Sequence, residues 1–181
     1  MKESLFLSFV GLIALSLGVL VCCTEKESGG VNNSNGDSNG DEPTSPYVDL
    51  GLSSGIKWKI SNEENAADTV YNFFSLEEIE TQFGDQIPSR EQFEELIAEC
   101  QWVWVDSGYS VTGPNGNTIT FPAAGVRDRY GNEGGVGSVG RYWTSTPSGS
   151  GRTWKLDFNS DSVHMAGNYR CLGNSVRLIQ D

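Results

Sequence analysis

The apolar positions of this chain fall into three regimes. From Leu5 to Val21 the sequence LFLSFVGLIALSLGVLV carries no charge and follows a short start containing Lys2. This run is shorter than the ~20 apolar residues of a membrane span and matches the central part of a secretory signal. Residues 25–46, EKESGGVNNSNGDSNGDEPTSP, hold Val31 as their only aliphatic residue. Such a stretch cannot bury enough apolar surface to offset the entropy of ordering, so it reads as a disordered acidic linker. Its root-mean-square reach is on the order of 25 Å. Beyond Pro46 the pattern changes, and apolar residues recur with the periods of helices and strands.

Two short helices are predicted first. Ser75-Leu-Glu-Glu78 is a capping box, with Phe74 and Ile79 spaced as a hydrophobic staple, and the segment is expected to stop near Gly84. Ser89-Arg-Glu-Gln92 forms a second box after Pro88. Phe93, Leu96, Ile97 and Cys100 then follow at i, i+3, i+4 and i+7, which puts them on one face, with Glu91, Glu94, Glu95 and Glu99 on a solvated one. The rest reads as short strands: 102–105, 109–112, 118–121, 141–145, 153–158, 162–165 and 175–179. The segment Gly113-Pro-Asn-Gly-Asn117 gives a hairpin turn, and glycine-rich loops are expected over 131–140 and 147–151. Helices followed by strands predict an α+β domain with an antiparallel sheet over residues 47–181.

That domain holds all five tryptophans and all six tyrosines, enough for a genuine core. The formal net charge of −12 would not change if residues 1–22, with Lys2 and Glu3, were removed. An acidic balance of this size opposes nucleic acid and anionic membrane surfaces and favours a cationic partner or simple solubility.

The apolar run ends in Leu20-Val-Cys-Cys23. This resembles a bacterial lipobox, in which a cysteine after a small residue is acylated and becomes the mature N-terminus. Cys23 is preferred, because Cys22 then fills the small position; choosing Cys22 would put the bulkier Val21 there. The chain thus divides into a lipoprotein signal peptide (1–22), a lipid anchor with linker (23–46) and one folded domain (47–181). At ~0.8 kcal/mol per buried methylene, two or three acyl chains hold a protein on a bilayer far better than one. Thr24-Glu-Lys-Glu27 resembles the acidic signals that send lipoproteins of the Bacteroidetes to the outer face of the outer membrane. Cleavage and acylation at this site leave Cys100 and Cys171 as a pair in an oxidising compartment, as either a disulfide closing a loop of ~70 residues or two free thiols.

Tyr47-Val-Asp-Leu-Gly-Leu-Ser-Ser-Gly-Ile-Lys-Trp58, Ile87-Pro-Ser-Arg-Glu-Gln-Phe-Glu-Glu-Leu-Ile97 and Cys100-Gln-Trp-Val-Trp104 succeed one another along the domain. Gly108 to Asn117, Phe121-Pro-Ala-Ala-Gly125, Gly140-Arg-Tyr-Trp-Thr-Ser-Thr-Pro147 and Asn174-Ser-Val-Arg177 follow in order. Together they resemble the Fibrobacter succinogenes major paralogous (FISUMP) domain over essentially all of residues 47–181. The resemblance implies a C-type lectin-like fold, related to formylglycine-generating enzymes, on a secreted or surface lipoprotein. It names no reaction. The tryptophan- and glycine-rich stretch usual before the proline-led helix is replaced here by Glu80-Thr-Gln-Phe-Gly-Asp85.

Candidate chemistry is sparse. Formylglycine-generating relatives use paired reactive cysteines, and Cys171 has no near cysteine neighbour; His164 is the only histidine, with no triad signature around it. No catalytic residue and no cofactor are therefore assigned. Asp157, Asn159 and Asp161 alternate and would share a face in an extended strand. The lectin calcium triplets are absent, so no metal site is assigned. Asp68-Thr-Val70 and Asp161-Ser-Val163 resemble the O-glycosylation sites of exported Bacteroides-type proteins, which makes Thr69 and Ser162 modification candidates. The tryptophans are expected in the core, and the 131–140 loop is the expected recognition surface. The sequence thus reads as a surface lipoprotein bearing a non-catalytic recognition or adhesion domain for a glycan or protein ligand. The alternatives are a structural accessory subunit of a surface appendage or polysaccharide-handling complex and, third, an enzyme derived from the formylglycine-generating fold.

Overall fold

The computed structural model describes residues 45–181. The signal segment, the Cys23 anchor and all but the last two residues of the linker lie outside them. Eleven short strands and two helices follow in chain order. The first is β1 (Tyr47–Asp49), then β2 (Lys57–Lys59), α1 (Leu76–Gln82), a 3-10 turn at Gly84–Gln86 and α2 (Arg90–Glu99). Next come β3 (Gln101–Val105), β4 (Gly108–Thr112), β5 (Thr118–Pro122), β6 (Val126–Arg127) and β7 (Glu133–Gly134). The chain ends with β8 (Gly140–Gly149), β9 (Arg152–Asn159), β10 (Ser162–Tyr169) and β11 (Ile179–Gln180).

Both helices start where the sequence places them. Ser75 Oγ accepts from Glu78 N while Glu78 Oε2 accepts from Ser75 N, and Ser89 and Gln92 repeat the exchange. Each box satisfies two amides that the first turn would leave without partners. Phe74 and Ile79, the staple residues, are both fully buried. Yet α1 and α2 have only 7 and 10 residues.

The expected α+β, C-type lectin-like architecture is overturned. Among the described residues, strand and bridge positions make up 42% and helix 15%, the strands forming small antiparallel sheets ordered β1-β2-β11, β10-β9-β8, β3-β4-β5 and β6-β7. The molecule is predominantly β. Both predicted helices are present but short, and pairing reaches into segments that carry no strand period. Val48 pairs with Trp58 and Trp58 with Ile179, so the two ends of the domain close one small sheet through β2.

Two further departures have local causes. Of residues 147–151, expected as a turn or loop, only 150–151 form a turn, because β8 runs on to Gly149 by shifting register between Trp143 and Pro147 and again before Gly149. A bulge on an edge strand tolerates a proline that a regular ladder would reject. The expected strand 175–179 pairs regularly only at Ile179. Residues 173–179 instead run buried, bridging Phe74 through Asn174 and Tyr142 through Ser175.

The main core lies under α2, where Phe93 and Leu96 meet Trp58, Phe121, Tyr142, Leu156 and Phe158. A second cluster under α1 gathers Phe74, Leu76, Ile79, Ile87, Trp143, Val176 and Leu178. Trp58 and Trp143 are fully buried, while Trp102 and Trp104 are half-buried on the core side of β3 and leave Val103 and Val105 outside. Gly140 opens β8 because any side chain there would collide with the Phe158 ring, whose Cζ lies 1.9 Å from the position a Cβ would take.

The acidic face of α2 departs from a plain solvated surface. Glu95 accepts from Ser54 N (2.8 Å) and Ser54 Oγ (2.8 Å), and Glu99 accepts from Ser53 N (2.9 Å). These carboxylates hold the 51–56 turn against the helix. The 113–117 turn docks in the same manner, with Asn115 and Asn117 side-chain amides donating to Asp49 O at 2.9 and 2.7 Å.

A candidate ligand cleft between two tyrosines

The strongest candidate site is an open hollow of about 360 Å³ lined by Asp128, Arg129, Tyr130, Tyr169, Cys171 and Leu172. That volume lies in the range of small-molecule sites. Its walls come from two stretches 40 residues apart, joined where Arg127 and Gly173 exchange backbone hydrogen bonds at 3.0 and 2.9 Å. The Arg127 guanidinium reaches Asp68 Oδ2 at 3.1 Å, and Asp68 also accepts from Tyr71 N and Phe73 N. Asp68 therefore belongs to the support beneath this wall.

Tyr130 is presented by a tight turn. Asp128 accepts from Tyr130 N (2.7 Å), Asn132 N (2.9 Å) and Asn132 Nδ2 (3.0 Å). These bonds, led by the Asn132 side chain, hold the Asp128 carboxyl below the usual carboxylate range. Gly131 completes the turn at φ 86°, a conformation that glycine adopts without a Cβ penalty. With its carboxylate occupied, Asp128 acts as a frame. Tyr169 arrives differently, as the last residue of β10, paired across the ladder with Arg152.

Both tyrosines are exposed, Tyr130 by 74% and Tyr169 by 59%, among a handful of large apolar side chains left in solvent. Each carries an arginine. Arg129 lies 4.7 Å from the Tyr130 ring centroid and donates to its hydroxyl at 2.6 Å; Arg152 lies 4.9 Å from the Tyr169 ring and donates to Gly167 O at 3.0 Å. Among the described residues neither guanidinium has a carboxylate partner, whereas neighbouring Arg170 is held by both oxygens of Glu80 at 2.8 Å. The cleft therefore offers apolar ring surface beside a cationic donor, Arg129, an arrangement suited to binding.

The residues singled out from the sequence are scattered. Cys100 and Cys171 are both free thiols, so the disulfide option is not realised in this structure. Cys100 packs half-buried against the main core, where burial, aided by Glu99 and Glu95, pushes its thiol up to about 11; Cys171 is exposed and lines the cleft. Thr69 is exposed beside Asn65 and Asn72 in another hollow. Ser162, also exposed, bonds to Asn159 Oδ1 in the β9–β10 turn. His164 is exposed on β10 opposite Asp157. Asp157 and Asn159 lie two apart on β9, but Asp161 falls in the turn beyond it, so the three do not share one strand face; Asp157 bonds Arg141 and Lys155, and Asn159 ties the turn. Among the described residues no group of three or more His, Cys, Asp or Glu is placed to hold a metal, and no helix is long and apolar enough to cross a membrane.

The 131–140 loop, the expected recognition surface, adjoins the cleft but does not line it. Sequence reasoning missed Tyr130, Tyr169 and their arginines. The one available signal was local composition: Tyr130 and Tyr169 sit among Gly, Asn and Asp, where a tyrosine has few ways to reach a core, and nothing in the sequence pairs Tyr169 with Arg152.

A sequence-family model described as a domain of unknown function (DUF8237) matches residues 97–179. It begins in the last turn of α2 and contains every residue of the cleft. No curated protein and no solved structure matches the chain.

Proposed function

We propose that this chain is a non-catalytic recognition or adhesion module of the bacterial cell envelope and that the Tyr130–Tyr169 cleft is its ligand contact. In this reading an acyl group on Cys23 anchors it to the outer membrane, and the acidic linker lets residues 47–181 stand clear of the lipid headgroups. The ordered resemblance to FISUMP domains supports an exported setting. The observation that carries the binding role is the pair of exposed tyrosines around an apolar hollow, because tyrosine gives large, rigid contact area at small entropic cost. The net charge of −12 argues against nucleic acid as the partner.

The test is a screen of the full chain, purified in detergent, on an array of glycans and extracellular-matrix proteins, with calcium and with chelator. Saturable binding that disappears in a Tyr130→Ala/Tyr169→Ala variant is expected, with no response to calcium. A ligand bound equally by that variant would remove the cleft from the reading. A second reading, as a structural subunit of a surface assembly, draws on edge strand β3, where Val103 and Val105 are 47% and 51% exposed beside an unpaired strand edge. Stoichiometric co-purification of one envelope protein, lost on Val103→Lys/Val105→Lys, would favour it.

A further inference from the structure

The cleft also carries information about the class of ligand. This step rests on the recognition reading and narrows it. The chain has twelve Lys and Arg against twenty-four Asp and Glu, so a basic side chain without an acidic partner is a departure from its general character. Arg129 lines the hollow and Arg152 lies over the Tyr169 ring that lines it; of the neighbouring arginines, Arg127 and Arg170 are neutralised by Asp68 and Glu80. Arg129 and Arg152 are not. Each is instead laid against a tyrosine ring that lines the hollow.

Stacking fixes the plane of a guanidinium while leaving its edge free. Arg129 uses one donor on the Tyr130 hydroxyl and Arg152 one on Gly167 O, so among the described contacts four of the five N–H donors on each remain open. Asp128 is the carboxylate on the same rim, and its oxygens are taken up by the turn amides and Asn132. The open capacity of the two guanidiniums is thus cationic and donor-only, beside the rings and hydroxyls of Tyr130 and Tyr169 and the side chain of Leu172. A neutral saccharide would use the rings and leave the guanidinium edges to water. A purely inorganic anion would use the guanidinium edges and leave the rings bare.

We infer that the cleft binds a carboxylated saccharide, a pyranose whose C–H face lies on the tyrosines while its carboxylate is taken by Arg129 and Arg152. Uronic and sialic acids share this chemistry, and the volume of about 360 Å³ suits one or two rings. Charge-assisted hydrogen bonds to a fixed guanidinium are about twice as strong as neutral ones, enough for a preference of about tenfold for the acid over its ester.

The experiment is calorimetric titration of the full chain in detergent with tetragalacturonate and with sialyllactose, each alongside its methyl ester. The ester keeps the ring and removes the charge. At least one acid is expected to bind about tenfold tighter than its ester, with the preference falling to within about twofold in Arg129→Met/Arg152→Met, while Tyr130→Ala/Tyr169→Ala loses acid and ester alike. The arm that binds tells uronate from sialate. Equal affinity for acid and ester, or unchanged preference in the arginine variant, overturns the carboxylate and leaves the recognition cleft standing. No binding of either acid overturns the ligand class, and the array result with the tyrosine variant then decides separately whether the cleft binds anything. Unfolding curves of both variants confirm that these exposed substitutions leave the fold intact.

Discussion

Arg177 and Arg129 make the same contact in two regions of the molecule. Each holds its guanidinium over an aromatic ring, 4.6 Å from Phe121 and 4.7 Å from Tyr130. Arg177 is fully buried, and its donors end on Lys59 O, Ile60 O, Thr120 O and Asn62 Oδ1 at 2.6–3.0 Å. Asn62 in turn donates to Tyr142 Oη, which donates to Pro122 O. Burial works against both the Arg177 charge and the ionisation of Tyr142, so this region is held together by saturation of donors. At the cleft the donors are left open. The difference teaches that ring contact alone says nothing about role; the fate of the remaining N–H groups separates a saturated arginine from one with donors to spare.

The most forceful way to break the comparison is Arg177→Met. It removes five hydrogen bonds, three of them to backbone carbonyls, from a fully buried side chain, and should cost about 3 kcal/mol in urea unfolding followed by circular dichroism. Arg129→Met/Arg152→Met should change the same measurement by no more than about 0.5 kcal/mol. Equal losses in the two variants would mean that the cleft arginines are structural. Between these extremes, Ser89→Ala removes the α2 cap without touching either arginine region, and a loss of about 1 kcal/mol is expected.

The smallest effect concerns the thiols, which divide along the same line of burial. Because burial raises the Cys100 thiol to about 11, only about one molecule in a thousand carries the thiolate at pH 8. Iodoacetamide at that pH should modify the Cys171 peptide in the native chain and the Cys100 peptide only after unfolding, as read by mass mapping. The folded value lies above the reference of 9.0, so the unfolded chain ionises first as the solution becomes alkaline. Stability from this group is therefore full below about pH 9 and lost as pH rises through about 11. Early alkylation of Cys100 would show that the end of α2 opens locally.

Several features were legible because they depend on neighbours in sequence. A capping box is closed by residues three apart, so Ser75 with Glu78 and Ser89 with Gln92 declare their helices without knowledge of the rest. The 113–117 hairpin is equally local, with Gly113 N donating to Asn117 O at 2.9 Å and Gly116 at φ 88°. The inward face of α2 and the buried tryptophans followed from periodicity and size. The predominance of β structure was not legible, because β1, β2 and β11 are two or three residues each and exist only by pairing with one another. Nor were the clamps from Glu95 and Glu99, whose spacing is also that of an ordinary solvated face.

What the sequence alone determined are the uncharged apolar run of residues 5–21 and the cysteine pair with their likeness to a lipobox, the net acidity, two capped helices and the tight turn between β4 and β5. Tertiary structure decided which charges are satisfied and which are free. Arg127, Arg129, Arg152, Arg170 and Arg177 are the same letter in the sequence, and only long-range pairing gives one a cage of carbonyls, two a carboxylate and two a tyrosine with open donors. Hydrogen-bond partners more than 50 residues away, such as Thr120 for Arg177 and Asp68 for Arg127, are set by the closure of the sheets. No local period encodes them.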